Sequence, residues 1–225
     1  MSNYTYYVDL VLAIDGTGSM RHVISGVKEF AADMHEQVQR AMDAAGKHID
    51  GLRVKVIVFR DFTEGDAPAL EVLEFKRIPE EGAAVTDFVN GIVPSGGGDL
   101  PENAMEALAL AINSDWMQEG TKQRHIIMLF TDEAPHPYMT RIGSVQLPNL
   151  PATLDDLIDQ WSLTGQNYPC KLKKSARRLF LFVPDVPEWK VWEGQELVAT
   201  VDIGTVLADP EATRQEIIAL IERSI

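Results

Sequence analysis

The amino-acid sequence predicts an α/β fold, a doubly wound and mostly parallel sheet flanked by helices. Short apolar runs typical of buried parallel strands recur along the 225 residues. Segments with an apolar residue every three or four positions separate these runs, as expected of amphipathic helices. Because no internal repeat or linker interrupts the alternation, we predict one domain over 1–225. Its core motifs lie in 7–136, and the C-terminal strands and helix lie in 153–225.

In the first half of the chain the apolar runs predict three strands, over 7–14, 52–59 and 70–75. The last of them is short and reads as an edge strand, which could run antiparallel to its neighbour. Helical periodicity predicts three helices, over 22–45, 83–92 and 101–112. Pro101 stands at the start of the third helix, where its missing N–H group costs nothing.

The second half of the chain predicts three more strands, over 125–131, 178–183 and 198–203. A Pro-rich loop over 132–151 is longer than most connections in compact domains, so it is a candidate for function. Thr153 is the expected N-cap of a short helix that ends near Trp161. Asp209 is the expected cap of a final helix with Pro210 at its first position.

Charge and cysteine content exclude several classes of function. The formal net charge is −14, from 20 basic and 34 acidic residues, and such a surface repels nucleic acids and anionic membranes. Cys170 is the single cysteine, so neither an intrachain disulfide nor a thiolate zinc site is expected.

The N-terminal residues do not resemble a signal peptide, and no apolar run approaches about 20 residues. We therefore predict a cytoplasmic location.

The loop that follows the first predicted strand carries three oxygen-bearing side chains. Asp15, Thr17 and Ser19 occupy alternate positions, which in an extended segment point to the same side. Gly16 and Gly18 lie between them and allow the backbone to turn tightly. Carboxylate and hydroxyl oxygens are the ligands that a hard divalent cation prefers. Taken alone, each residue could equally cap the following helix.

Further carboxylates follow other predicted strands. Asp61 comes after the second strand and Asp132 after the 125–131 strand, while Asp99 follows a run of glycines ahead of a helix. Ligands of parallel sheets bind beyond the carboxyl ends of the strands, so these groups are expected at one edge. Two carboxylates about 4 Å apart repel each other by about 4 kcal/mol at an effective dielectric near 20. A cation between them would remove that cost.

This order of residues resembles the von Willebrand factor type A (vWA) domain and its metal ion-dependent adhesion site. The resemblance covers 7–136 well and the remainder only by the order of strands and helices. Asp15, Thr17 and Ser19 match the first loop of the family motif, with Thr for the first Ser, and Asp132 matches its later Asp. Asp99 stands where the family has Thr. That variant is similar to the intracellular subgroup, which includes bacterial proteins and domains attached to atypical alpha-kinases.

The resemblance implies a magnesium site, with Mn²⁺ or Ca²⁺ as alternatives, held by Asp15, Thr17, Ser19, Asp99 and Asp132. With three carboxylates the site would be more anionic than the family pattern, and Asp99 would contact the metal directly or through water. Three further residues are expected at its rim. Arg60 and Asp61 would pair with each other or orient the ligands. His136 is expected to be exposed, the alternative being a hydrogen bond to metal-bound water or to a partner carboxylate.

These observations predict a non-enzymatic binding module that presents its metal site to a protein partner in a cytoplasmic complex. Tyr138, Met139 and Arg141 of the long loop would form much of the contact surface. The alternative is a metal-dependent hydrolase or phosphoryl-transfer enzyme, for which His136 is the only candidate base. A dinucleotide-binding motif is excluded, because Arg21 stands where its third glycine is needed.

Overall fold

The computed structural model describes residues 5–44, 46, 49–63, 68–97, 101–163 and 170–224. Its strands are β1 (Tyr6–Asp15), β2 (Gly51–Phe59), β3 (Leu70–Ile78), β4 (Lys122–Phe130), β5 (Arg177–Val183) and β6 (Val198–Asp202). Its helices are α1 (Arg21–Ala44), α2 (Gly82–Gly91), α3 (Ala104–Ile112), α4 (Leu154–Ser162), α5 (Gly204–Leu207) and α6 (Pro210–Ser224). A 3-10 turn, Lys190–Trp192, precedes β6.

The strands form a six-stranded sheet in the order β3-β2-β1-β4-β5-β6. Every neighbouring pair is parallel except β2 and β3, which run antiparallel at one edge. The predicted fold class, including its antiparallel edge strand, is therefore confirmed. The chain leaves β1 for β2 on one side and returns to β4 on the other, so the strand order reverses at β1. Ligands of open parallel sheets bind at such a reversal, beyond the carboxyl ends of the strands.

Both faces of the sheet are apolar because the central strands are covered on both sides. Along β1, Val8, Leu10 and Leu12 pack toward α1 and α6. Val11 and Ala13, at the intervening positions, pack toward α3 and α4. Asp9 is the exception within this strand: it is buried, and its carboxylate accepts two hydrogen bonds from Arg53, at 2.8 Å and 2.6 Å.

The helix ends follow the local sequence signals in two places. Thr153 caps α4, since its Oγ1 accepts a hydrogen bond from the Asp156 N–H group at 3.1 Å. Asp209 holds the first turn of α6 by accepting from the Glu211 N–H group at 3.0 Å. In the described ranges, no helix is both long enough and apolar enough to cross a membrane.

Candidate functional site

Asp15 is the last residue of β1 and lies at the reversal of strand order with no exposed surface. Its Oδ1 accepts a hydrogen bond from the Thr17 N–H group at 2.9 Å, and its Oδ2 accepts from Thr131 Oγ1 at 2.8 Å. Burial raises the pKa of Asp15 to about 6, and the nearby charge of Asp132 adds to this rise. The hydrogen bonds from Thr17 and Thr131 only partly offset that cost.

Ser19 joins the first loop to the residue that follows β4. Its Oγ lies 3.2 Å from Thr17 Oγ1 and donates a hydrogen bond to Asp132 Oδ1 at 3.1 Å. Residues more than a hundred positions apart thus meet in one set of oxygen atoms. We refer to the side chains of Asp15, Thr17, Ser19, Thr131 and Asp132 as the oxygen cluster.

The oxygen cluster brings together four of the five predicted metal ligands. Asp99, the fifth, lies outside the described residues. Thr131 belongs to the cluster but was not predicted, although a hydroxyl residue between a buried strand and Asp132 is a sequence signal that could have identified it. Carboxylate and hydroxyl oxygens without nitrogen or sulfur suit Mg²⁺, Mn²⁺ or Ca²⁺. Within the described ranges, no three His, Cys, Asp or Glu side chains are grouped to hold a metal.

A glycine-rich segment lies against the first loop. The Ser95 N–H group donates to the carbonyl of Gly16 at 3.0 Å, and the Gly18 N–H group donates to that of Gly96 at 3.4 Å. Gly97 has a φ of 87°, and a Cβ atom there would lie 3.1 Å from the Cβ of Thr17. The positive φ and the close approach of Thr17 explain why a glycine is needed at position 97.

Arg60 is buried beneath this loop, and it does not form the ion pair predicted with Asp61. Its guanidinium donates to the backbone carbonyls of Gly16, Pro68 and Val93. It also pairs with the carboxylate of Glu71. Arg60 follows β2 directly, so its side chain extends toward β1 and the glycine-rich segment. Its contact with Gly16, next to Asp15, agrees with the alternative expectation that it orients the ligand loop.

Asp61 instead binds the long loop that follows β4. Its Oδ2 lies 2.9 Å from His136 Nε2 and 3.2 Å from Arg141 Nη2, and its Oδ1 accepts from the N–H and hydroxyl groups of Thr63. Burial alone would raise the pKa of Asp61, but the hydrogen bonds from Thr63 and His136, with the charge of Arg141, lower it overall. Asp61 therefore anchors the loop as a carboxylate.

The expected exposure of His136 is wrong, because its side chain is only 4% exposed. The backbone explains the difference. Glu102 forms an isolated parallel bridge with Pro135, and the His136 N–H group donates to the Glu102 carbonyl at 2.9 Å. This pairing draws the loop inward over Asp61. It also keeps Glu102 in an extended segment, so that α3 begins at Ala104 instead of at the predicted Pro101.

Two buried side chains hold the next part of the long loop. Asn103 directly precedes α3, and Glu106 lies within it. Glu106 Oε1 accepts from the Met139 N–H group at 2.6 Å, and Asn103 Nδ2 donates to Glu106 Oε2 and to the Arg141 carbonyl. Met139 has a φ of 60°, an unfavourable value for a side chain of this kind. Burial raises the pKa of Glu106 despite these hydrogen bonds. The sequence did not indicate this role for either residue, because both lie in or next to an apolar helical segment and their loop partners are distant in the chain.

The loop that follows β5 also contacts the site. Trp189 is buried, and its Nε1 donates to the carbonyl of Glu133 at 3.2 Å. Because Glu133 is the neighbour of Asp132 in the chain, this contact supports the backbone that carries the second carboxylate of the oxygen cluster. Three connections, those following β2, β4 and β5, are therefore tied together at one edge of the sheet.

No protein-family model and no curated protein sequence matches this chain. Among solved structures, the fold is similar to a pilus adhesin, SpaC from Lactobacillus rhamnosus GG, with a TM-score of 0.55 and 13% identity. That similarity covers 99% of this chain but 31% of the SpaC chain. The vWF domain of the type V pili tip protein Mfa5 from Porphyromonas gingivalis gives a TM-score of 0.48 and 12% identity, covering 98% of this chain and 97% of that one.

The similarity to SpaC concerns the fold alone. The strand order, the single antiparallel edge strand and the helices on both faces are consistent with a Rossmann-like vWA fold.

Proposed function

We propose that the protein is a vWA-type interaction module that holds a divalent cation in its oxygen cluster and presents it to a protein partner. The observation that carries this proposal is the convergence of Asp15, Ser19 and Asp132 at the reversal of strand order. Mg²⁺ is the first candidate because a site with few protein ligands and several waters suits it, and Mn²⁺ and Ca²⁺ are the alternatives.

The electrostatics of Asp15 support a cation at this position. The carboxylate is buried, and both burial and the charge of Asp132 make its ionised form costly. A divalent cation between the two carboxylates would turn their mutual repulsion into attraction to a common charge. Thr17 and Ser19 would add neutral oxygen ligands from the same loop. Asp99 remains our proposed third carboxylate, in contact with the metal directly or through water.

The long loop that follows β4 would form the rim that a protein partner contacts. Tyr138 and Met139 are partly exposed there, and Arg141 is 36% exposed at its side chain. Aromatic, Met and Arg side chains are enriched at protein interfaces. The buried contacts of Asp61 and Glu106 hold this loop in one conformation, so that less entropy would be lost on binding. We retain the prediction of a cytoplasmic complex and of the intracellular subgroup.

The alternative, a metal-dependent hydrolase or phosphoryl-transfer enzyme, depends on His136 as its general base. That histidine is buried, and its Nε2 is engaged with Asp61 Oδ2 at 2.9 Å. A base must reach the proton that it removes, either directly or through one water molecule. The position of His136 therefore favours a structural role under the loop, and we rank the binding module above the enzyme.

Thermal unfolding with and without cations tests the metal site. We expect Mg²⁺ or Mn²⁺ to raise the melting temperature of the wild type, because a ligand that binds only the folded state stabilises it. Asp132→Asn and Ser19→Ala should remove most of that rise. Asp185→Asn is the matched control, because it removes a carboxylate from the loop after β5. Among the described residues, Asp185 pairs with Lys190 and forms no hydrogen bond or ion pair with the oxygen cluster.

Direct binding of Mn²⁺, followed by electron paramagnetic resonance, provides a second measurement. Free Mn²⁺ should decrease when wild-type protein or Asp185→Asn is added, but not when Asp132→Asn is added. Equal uptake of Mn²⁺ by all three proteins would show that the cation binds elsewhere, and the proposed site would then be wrong. Turnover of a phosphoester that required both Asp132 and His136 would instead favour the enzyme.

A further inference from the structure

The two edges of the sheet differ in how well they are protected against pairing with another strand. The strand β3 carries four charged residues in its nine positions, namely Glu71, Glu74, Lys76 and Arg77. The other edge strand, β6, has the sequence VATVD and carries no charge before Asp202. Charged side chains on an edge strand are a common means of preventing unwanted strand addition. The edge of β6 has less of that protection, because Asp202 at its end is its one charged residue.

An apolar groove runs beside β6 on the face of the sheet that carries α6. It has a volume of about 350 Å³. Its apolar lining comes from β5, β6 and α6 and consists of Phe180, Leu197, Val198, Ala199, Val201 and Leu220. The groove is present because α6 packs mainly against α1 and leaves the outermost strand partly uncovered. We call it the β6 groove.

One end of the β6 groove is positively charged. Arg178 lines it near the start of β5, and its guanidinium donates hydrogen bonds to the backbone carbonyls of Arg177 and Ser175. Among the described residues, no carboxylate forms an ion pair with Arg178. Arg223 and Glu216 also line the groove, and they form an ion pair with each other. Burial, together with the charge of Arg124, lowers the pKa of Arg178, as expected of a cation without a compensating anion.

We propose that the β6 groove binds an extended acidic segment of a partner protein, which adds to the sheet as a further strand beside β6. Backbone hydrogen bonds to the free side of β6 would supply affinity, and apolar side chains at alternate positions of the segment would enter the groove. A carboxylate of the segment would face Arg178. This docking is independent of the cation bound by the oxygen cluster.

Charge complementarity favours a partner segment over a second copy of this chain. The whole chain has a net charge of −14, so it repels a second copy with the same charge far more strongly than a short segment with few carboxylates. The positive end of the groove, in contrast, attracts a short acidic segment locally. Leu197, which directly precedes β6, has a φ of 64°, a conformation that is unusual for a non-glycine residue and is enriched at binding sites.

The test uses two labelled eight-residue peptides that alternate valine and threonine and carry a Glu-Asp pair at the amino or the carboxyl end. Fluorescence anisotropy at low salt measures their binding to the full chain. We expect one of the two peptides to bind, and its lysine-substituted version to bind at least about tenfold more weakly. Arg178→Glu and Ala199→Glu should each weaken binding by a similar factor. Ala199 is exposed in the groove, so its substitution should leave the fold intact.

The matched control is Val72→Glu, which places the same new charge on the other edge strand, where Val72 is 38% exposed. This variant should bind the peptide as the wild type does, and circular dichroism should show all variants folded. The proposal is wrong if neither peptide binds or if Arg178→Glu binds as well as the wild type. It is also wrong if sedimentation shows a dimer that Ala199→Glu abolishes, because the groove would then hold a second copy.

Discussion

Arg60 crosses so close to the backbone of Gly16 that a Cβ atom at Gly16 would lie 2.6 Å from Arg60 Cζ. The same guanidinium donates to the Gly16 carbonyl at 3.1 Å and to the Val93 carbonyl at 3.1 Å. Arg60 therefore joins the first ligand loop to the segment that leads into the glycine-rich loop. Only a residue without a side chain fits between Asp15 and Thr17 under this arrangement.

We expect Gly16→Ala to lower the free energy of unfolding by about 2 kcal/mol, because the added methyl group must displace a buried guanidinium or the backbone. The rise in melting temperature caused by Mg²⁺ should also decrease, since Asp15 and Thr17 would move. Chemical denaturation measures the first effect and thermal unfolding the second. Gly91→Ala is the control, because among the described residues no atom outside the neighbouring backbone of its own helix lies within 4 Å of a Cβ atom there. A Gly16→Ala protein as stable as Gly91→Ala would contradict this view of Arg60.

His125 makes the fold sensitive to acid. It is fully buried in β4, stacks on Trp116 with ring centroids 4.9 Å apart, and its Nε2 lies 3.1 Å from the Met117 carbonyl. Burial lowers its pKa from 6.5 to about 4, so the folded protein holds it neutral. The unfolded chain takes up a proton below pH 6.5 while the folded chain does not. Stability is therefore present above pH 6.5 and is lost as the pH falls toward 4.

The expected loss through His125 is about 3 kcal/mol across this interval, at about 1.4 kcal/mol for each unit of pKa. Urea denaturation at pH 7 and pH 4.5 measures it as a difference between variants. His125→Gln should lose less stability on acidification than the wild type. His22→Gln removes an exposed histidine and should follow the wild type. Parallel pH profiles for the wild type and His125→Gln would rule out this explanation.

Asp61 and His136 should be strongly coupled. Both side chains are buried, at 6% and 4% exposure, so solvent screens their hydrogen bond weakly. A double-mutant cycle with Asp61→Ala and His136→Ala should give a coupling energy of about 2 kcal/mol. The exposed pair Glu36 and Arg40 in α1 is the control and should give about 0.5 kcal/mol or less. Similar coupling in both pairs would mean that Asp61 does not anchor the long loop.

Glu106 should control the order of the rim. Loss of its Oε1 in Glu106→Ala leaves the Met139 N–H group without its acceptor and removes support for an unfavourable backbone conformation. We expect hydrogen exchange at the Met139 amide to accelerate at least about tenfold, which corresponds to about 1.4 kcal/mol. Glu106→Gln keeps an acceptor oxygen and should have a smaller effect. Glu133→Ala changes a partly exposed carboxylate of the same loop and should leave this amide unchanged.

The fold could be predicted largely from local patterns, because a strand covered on both faces must be apolar along its whole length. That requirement identified β1, β2 and β4, and the alternation with helices identified the doubly wound order. The edge strand β3 was predicted over 70–75 and extends to Ile78, since its pairing with β2 continues to Leu52. Pairing of this kind depends on the neighbouring strand and is not visible in a local pattern.

The candidate site was predictable where its residues follow strands in the order that the vWA resemblance implies. Asp15, Ser19 and Asp132 were found in this way, and the structure brings them together. The partners of Asp61 were not found, because its contact with His136 spans 75 positions and depends on how the long loop folds back. A buried carboxylate such as Glu106 likewise resembles an ordinary helix residue until its partner, the Met139 N–H group, is located.

The hydrogen bond from Trp189 to the Glu133 carbonyl has a spectroscopic consequence. Indole emission depends on the charge and the hydrogen bonds around the ring, and this ring donates to the carbonyl of Glu133, the residue that follows Asp132 in the chain. Trp161, in contrast, donates to the carbonyl of Glu196. Subtracting the emission of Trp189→Phe from that of the wild type would give the fluorescence of Trp189 alone. This fluorescence would report changes near Asp132 without any attached label.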